Sequence, residues 1–297
     1  MIGRGVSLVA SLAVLAGGYS QRGQQAPPPP TFRTGTASVA VDVAVRRGNV
    51  PVAGLTAADF ELFDNDVSQQ IESVSVEAVP IDISLVVDTS RSVVGNFRSF
   101  RNEVRRFAQM LRPVDRVRVV SFGSAVQELV AMQPASEPLN LDALQPGGAT
   151  SSNDGLFYGL LWPAELDRRH LVIAMTDGVD SYSTLTSASV IDVAERASAV
   201  FHVILVDGFA PTTTWEKGSR EAVVEAARRS GGAVHDLGRA AGDFKRIFDD
   251  FRASYVLRYT PQGVAREGWH DLNVRVRAPD TSKMTIRARR GYWGSPR

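Results

Sequence analysis

The chain of 297 residues contains no cysteine. That excludes disulfides, thiolate metal sites and cysteine nucleophiles together. Histidine is scarce: His170, His202, His235 and His270 are the four present, and no two stand at the helical spacing of a metal-binding pair. All four read as structural. An excess of one charge sign is missing too. The formal net charge of +1 argues against bulk attraction to nucleic acid or a membrane surface. Arginines do crowd the C-terminal part (Arg252, Arg258, Arg266, Arg275, Arg277, Arg287, Arg289, Arg290), but they alternate with apolar residues, as on the wet face of strands. No G-x-S-x-G elbow, P-loop or G-x-G-x-x-G is found.

Long apolar runs are missing with one exception. Val6 to Ala16 follows Arg4 and is too short to span a bilayer as a mature helix. Small residues, Ala16-Gly17-Gly18, then stand where a signal peptidase would cut. Residues 1–18 read as a signal peptide, with a retained signal anchor as the alternative. The mature chain is expected to be exported, periplasmic or extracellular, with no integral membrane span. Leu15-Ala16-Gly17-Gly18 resembles the start of a lipoprotein signal, yet Tyr19 follows and there is no cysteine to be lipidated. Residues 19–35 form a spacer whose QRGQQAPPPP stretch cannot build a core and is expected to be extended.

What is present divides into two grammars. From residue 36 to 79 the pattern has period two: Val39, Val41, Val43 and Val45 alternate with smaller or polar residues, as along a half-buried strand. Gly48-Asn49 and Pro51 break it. Phe60 to Phe63 and Ile71 to Val76 flank Asp64-Asn65-Asp66, which reads as a hairpin turn.

Residues 80–253 follow another rule. Continuous apolar runs alternate with amphipathic helices, the mark of a parallel sheet covered on both faces. Ile83 to Val87, then Val117 to Phe122, Leu171 to Met175 and Val200 to Val206 are the expected buried strands. Between them, helical spacing links Phe97, Phe100, Val104, Phe107 and Leu111, with Pro113 closing the helix. Leu156 and Leu160 mark another helix that Pro163 ends; Val190 to Ala197 and Ala222 to Ala227 are helical, the latter capped by Gly231-Gly232. Phe244, Ile247, Phe248 and Phe251 line a last helix and read as core. Residues 254–297 return to period two, with Trp269, Tyr292 and Trp293 expected to close the β region. The expected architecture is α/β: a doubly wound, mostly parallel Rossmann-like sheet, inserted in or flanked by a small β-sandwich of N- and C-terminal strands. Neither β flank is long enough to bury a sheet alone, so the two are expected to pack together.

Three elements fall at the carboxyl ends of the buried strands or in loops beside them, where open parallel sheets place ligands. They are Asp88-Thr89-Ser90-Arg91-Ser92, Gly147-Gly148-Ala149-Thr150 and Thr176-Asp177-Gly178-Val179-Asp180. The residue types suit a hard divalent cation. Mg²⁺ takes six oxygens and keeps several waters. Short hydroxyls are neutral donors, carboxylates supply charge directly or through water, and glycines let the threonine loop approach closely. D-x-S-x-S alone is weak, because Asp and Ser after a strand also make Asx turns and helix caps. The three together, in order, are a strong signal. Asp180 and Ser181 read as caps of the next helix, and Asp207 as a turn residue.

D-x-S-x-S after an apolar strand, a Gly-rich loop with Thr and a strand ending in T-D-G resemble the metal-ion-dependent adhesion site of von Willebrand factor A (VWA) and integrin I domains. The resemblance covers about Val79 to Ser254. The flanks Gly54 to Phe60, Tyr255 to Pro261 and Arg290-Gly291-Tyr292 look like the exported bacterial VWFA-related proteins. The resemblance implies a VWA fold and a site of Asp88, Ser90, Ser92, Thr150 and Asp177 for Mg²⁺, or Mn²⁺ or Ca²⁺. Ser90, Ser92 and Thr150 would be direct ligands, and Asp88 and Asp177 would act through water or as alternate ligands. It also implies a protein partner that supplies a carboxylate to the metal. Two departures stand out: Arg91 where members often carry Gly, and Ala149 for the glycine before the threonine.

The expected function is a non-catalytic, exported binding module of the adhesion type. The alternatives are a metal-dependent hydrolase or phosphatase, or a structural domain with a vestigial site. An aspartyl-nucleophile phosphatase would want a second aspartate where this chain has Ser90, which disfavours that route.

Overall fold

The computed structural model describes residues 38–76, 78–163, 165, 167–206, 211–236, 243–277 and 283–294. The expected signal and spacer, and the turn at Asp207, lie outside the described residues.

The valine alternation becomes β1 (Val39–Arg47), with Val41, Val43 and Val45 buried on one face. A turn brings β2 (Val50–Pro51) back against it. β3 (Phe60–Asp64) turns through Asn65 and Asp66 into β4 (Val67–Gln69). Both turn residues take positive φ, 45° and 62°, as a two-residue hairpin whose twist matches its strands requires. The hairpin partner is therefore β4 and not the segment from Ile71. That segment, β5 (Ile71–Ser75), crosses to a different sheet. A two-residue turn pairs immediate neighbours, Asp64 with Val67, and leaves the chain beyond Gln69 free to switch.

The middle of the chain builds a six-stranded sheet. β6 (Ile81–Asp88) is followed by a 3-10 turn (Arg91–Asn96) and α1 (Phe97–Ala108). The helix ends at Ala108, and turn hydrogen bonds carry the chain on to Leu111. β7 (Arg116–Phe122) and β8 (Val126–Pro134) form an antiparallel pair. Then come α2 (Ser152–Leu160), β9 (Arg169–Thr176), α3 (Ser187–Arg196), β10 (Ala199–Leu205), α4 (Thr214–Arg229), β11 (Val234–Asp236) and α5 (Asp243–Ala253). The strand order is β11-β10-β9-β6-β7-β8, parallel except for β8. Every residue of β6, β9 and β10 is buried, which explains their unbroken apolar runs. Alternation within β6 divides two cores. Ile81, Ile83, Leu85 and Val87 meet α1 and α5, while Val86 meets α2, α3 and α4. Each fully buried aliphatic side chain contributes about 1.5–3 kcal/mol, so the two cores hold the sheet in register.

The chain order reverses at β6: β7 lies on one side and β9 on the other. This is the switch point at which open α/β sheets form a crevice beyond the strand ends.

The remaining strands are β12 (Tyr255–Tyr259), β13 (Gly268–Val276), β14 (Met284–Ala288) and β15 (Gly291–Gly294). They interleave with the N-terminal ones in two antiparallel sheets, β14-β1-β12-β5 with β2 at the side, and β15-β13-β3-β4. One hydrophobic cluster joins them, containing Val41, Val43, Val45, Leu257 and Tyr259 from one sheet and Phe60, Leu62, Leu272 and Val276 from the other. The opposite face of β1 carries Asp42 and Arg46. Asp42 pairs with Arg169 of β9, and Arg46 pairs with Asp250 of α5. Arg287 of β14 reaches the same Asp250 at 3.3 Å. Among the described residues no helix is long and apolar enough to cross a membrane.

Candidate metal-binding site

Asp88 is the last residue of β6, fully buried, and both its oxygens are occupied. Oδ1 accepts from the Ser90 amide at 2.8 Å and from the Ser90 hydroxyl at 2.6 Å. This is an Asx turn, and it bends the backbone so that Ser90 faces back toward the strand end. Oδ2 accepts from the Thr176 hydroxyl at 2.7 Å. Ser90 Oγ and Ser92 Oγ lie 3.1 Å apart, so Asp88, Ser90 and Ser92 form one hydrogen-bonded chain.

Asp177 follows β9, beside β6 in the sheet. Its Oδ1 accepts from the Val179 amide at 3.0 Å, and its Oδ2 is buried with no hydrogen-bond partner. Burial pushes the Asp88 carboxyl up to about 7, with the Asp177 charge adding to the rise and hydrogen bonds from Ser90 and Thr176 opposing it.

Thr150 arrives on the loop between β8 and α2, which is stitched on both sides. The Gly147 amide donates to Thr89 O at 2.6 Å, and the Arg91 amide donates to Gly148 O at 3.2 Å. On the other side, Ser181 and Tyr182 amides both donate to Thr150 O, at 2.9 and 3.0 Å. Gly148 has φ +87°, and a Cβ there would sit 2.3 Å from Ser124 Oγ, so this crossing needs glycine. Ala149 is accommodated, its amide donating to Ser124 Oγ at 2.9 Å. The loop thus bridges the Asp88 and Asp177 segments. Thr150 is buried, but among the described residues its hydroxyl bonds to none of the other four.

The donor set fits a small divalent cation. Two cis ligands about 2.1 Å from an octahedral ion are about 3.0 Å apart, close to the Ser90–Ser92 separation. A bare carboxylate oxygen on Asp177 beside the buried Asp88 is costly without a compensating charge. Among the described residues no cluster of three or more His, Asp or Glu could hold a metal ion, so any cation here would rest on two carboxylates and hydroxyl oxygens.

Thr176 is the residue that sequence reasoning passed over. It appeared only as the first letter of T-D-G, and its contact with Asp88 is legible only once β6 and β9 are neighbours. Asp180 also differs from expectation. It accepts from the Asn153 amide at 3.0 Å, capping the preceding helix α2 rather than the next one. The four histidines lie away from these loops. His170 bonds Ser84 at 2.9 Å, His202 and His235 bond each other at 3.2 Å, and His270 bonds Asp64 at 2.8 Å.

A family model described as the von Willebrand factor type A domain matches residues 82–214. No curated protein matches. Several solved structures are similar at low identity. BatB from Bacteroides thetaiotaomicron has a TM-score of 0.43 at 14% identity, over 57% of this chain and 96% of that one. Manganese-loaded TRAP protein from Plasmodium vivax gives 0.43 at 17%, over 77% and 97%. The ArnB paralog VWA2 from Sulfolobus acidocaldarius gives 0.45 at 10%, over 86% and 76%.

Proposed function

Residues 82–214 of this chain are a von Willebrand factor type A domain, and from that premise we propose that the protein is an exported, non-catalytic module that engages a protein partner through a divalent cation. VWA domains are in general binding modules and commonly hold a divalent metal. The observation that carries the reading is the unpartnered, buried Asp177 Oδ2 beside Asp88, whose own carboxylate is raised to about 7 by burial. Two buried carboxylates at the switch point, with two hydroxyls at octahedral-edge spacing, call for a cation.

In this reading Ser90, Ser92 and Thr150 offer oxygens to the ion, and Asp88 and Asp177 hold it directly or through water. Thr176 and the Ser90 amide keep Asp88 oriented. A bound Mg²⁺, or Mn²⁺ or Ca²⁺, would supply an electrophilic position that a carboxylate of the partner can fill. Ser90 stands where an aspartyl-nucleophile phosphatase would want a second aspartate, which favours binding over that hydrolytic route. The N-terminal signal would deliver the chain to the periplasm or exterior. The flanking strands would serve as a small β-sandwich, residues 36–79 with 254–297, into which the α/β domain of residues 80–253 is inserted.

Calorimetric titration of the purified chain with Mg²⁺ and Mn²⁺ tests the site, with Asp88→Ala as the control. A metal-binding isotherm lost in the variant, alongside unchanged circular dichroism, is the expected result. Absence of any metal response in the wild type sinks the proposal.

A further inference from the structure

The loops around the candidate site carry a rim whose acids and bases are treated differently. Every carboxylate of three neighbouring acids is engaged in local backbone work. Asp180 accepts from the Asn153 amide at 3.0 Å and the Ser183 amide at 3.3 Å. Asp154 accepts from the Thr184 and Leu185 amides at 3.0 and 2.8 Å. Glu216 accepts from Thr212 and Thr213 at 2.7 and 2.9 Å, in a capping box at the start of α4. The arginines of the same rim are free of such duties. Arg91 is exposed between Ser90 and Ser92, and Arg220 packs its stem against Gly178, where a Cβ would come within 3.0 Å of Arg220 Cγ. Neither guanidinium forms an ion pair among the described residues, and the exposed Glu221 does not pair with its neighbour Arg220.

Two large aromatic side chains stand on the same edge with most of their surface in water. Tyr182 is 65% exposed and Trp215 is 57% exposed. The Tyr182 amide donates a hydrogen bond to Thr150 O at 3.0 Å, two residues along the loop from Gly148, whose carbonyl accepts from the Arg91 amide. Trp215 lies in the first turn of α4, one turn before Ser219, which faces Ser187 of α3 at 3.5 Å. Arginine and exposed aromatics are the residue types enriched where protein partners dock.

From this we infer that Arg91, Arg220, Tyr182 and Trp215 form a specificity rim that selects an extended acidic protein segment, with a carboxylate beyond the one offered to the metal. The inference rests on the binding-module reading and names the chemistry of the partner. Charge complementarity supports it: the chain as a whole is nearly neutral at +1, and Arg91 and Arg220 flank this site with no ion pair among the described residues. Arg91 and Arg220 would stand on the two sides of the Asp88–Asp177 pair and read acidic groups flanking the central one. The two rings would cover the segment's apolar stems.

The test uses the full chain with Mg²⁺ and three fluorescein-labelled decapeptides, each with a central Glu in a Gly/Ser background. The residue three positions on is Glu, Gln or Lys. Fluorescence anisotropy is expected to show the Glu-Glu peptide binding about fivefold tighter than Glu-Gln, with Glu-Lys weakest, and the differences should shrink at high salt. Arg91→Glu and Arg220→Glu should reverse the order toward Glu-Lys when each variant is compared at Mn²⁺ saturation, which electron paramagnetic resonance monitors. Tyr182→Ser and Trp215→Ser should weaken all three peptides alike. Equal binding of the three peptides, no peptide binding with the metal loaded, or charge-reversal variants with the wild-type order would overturn the inference. A charge preference that persists without any Mn²⁺ binding would leave the rim standing and remove the metal reading instead.

Discussion

The Thr176 hydroxyl donates to Asp88 Oδ2 at 2.7 Å, joining the ends of two strands that are 88 residues apart in sequence. It leaves Asp88 with no free oxygen in its resting arrangement and fixes the plane of the carboxylate against Ser90.

Thr176→Val removes that donor at nearly constant volume. Metal affinity is expected to fall 10- to 100-fold, as on losing an orienting outer-shell partner. Titration calorimetry with Mn²⁺ reads the change, and an unaltered affinity would show that Thr176 only fills space.

Asp177→Asn should have opposite effects with and without metal. Without metal it relieves repulsion between two buried carboxylates, and urea unfolding should show a gain of about 1 kcal/mol. With saturating Mg²⁺ the wild type should gain roughly 2.7 kcal/mol at a hundredfold excess over its dissociation constant, and the variant almost none. A variant that responds to Mg²⁺ like the wild type would remove Asp177 from the site.

Acid should unfold the protein partly through buried histidines. Burial lowers His170 to about 3 and His235 to about 4, and holds His202 well below its usual value, with neighbouring cationic groups adding to each shift. These groups take protons in the unfolded chain near 6.5 but stay neutral when folded. Their contribution is complete above 6.5 and is lost as pH falls toward the folded values, at up to about 1.4 kcal/mol per pH unit per histidine. Chemical denaturation between pH 7 and 5 should show this decline, and His235→Gln should flatten it.

Asp250 holds both Arg46 and Arg287 where β1 and β14 meet α5. Asp250→Ala leaves two arginines without their partner in a buried setting and should cost about 3–5 kcal/mol. A loss below 1 kcal/mol in urea titration would mean water replaces the carboxylate.

Local pattern alone determined much of this protein. The buried strands of the central sheet, the helices between them and the three loops at the strand ends follow from hydrophobic period and turn residues, both of which are properties of neighbours in sequence. β8 and β11 escaped that reading. β8 is an edge strand with a mostly wet surface, and β11 is three residues long, so neither produces a clear period. Tertiary structure decided what depends on distant pairing. It placed β5 beside β12 instead of β3, brought Thr176 onto Asp88, left Asp177 Oδ2 unpaired and gathered Arg46 and Arg287 around Asp250. The reason is physical: a side chain's type sets which contacts it can make, but burial and partner come from segments whose approach only the folded sheets enforce.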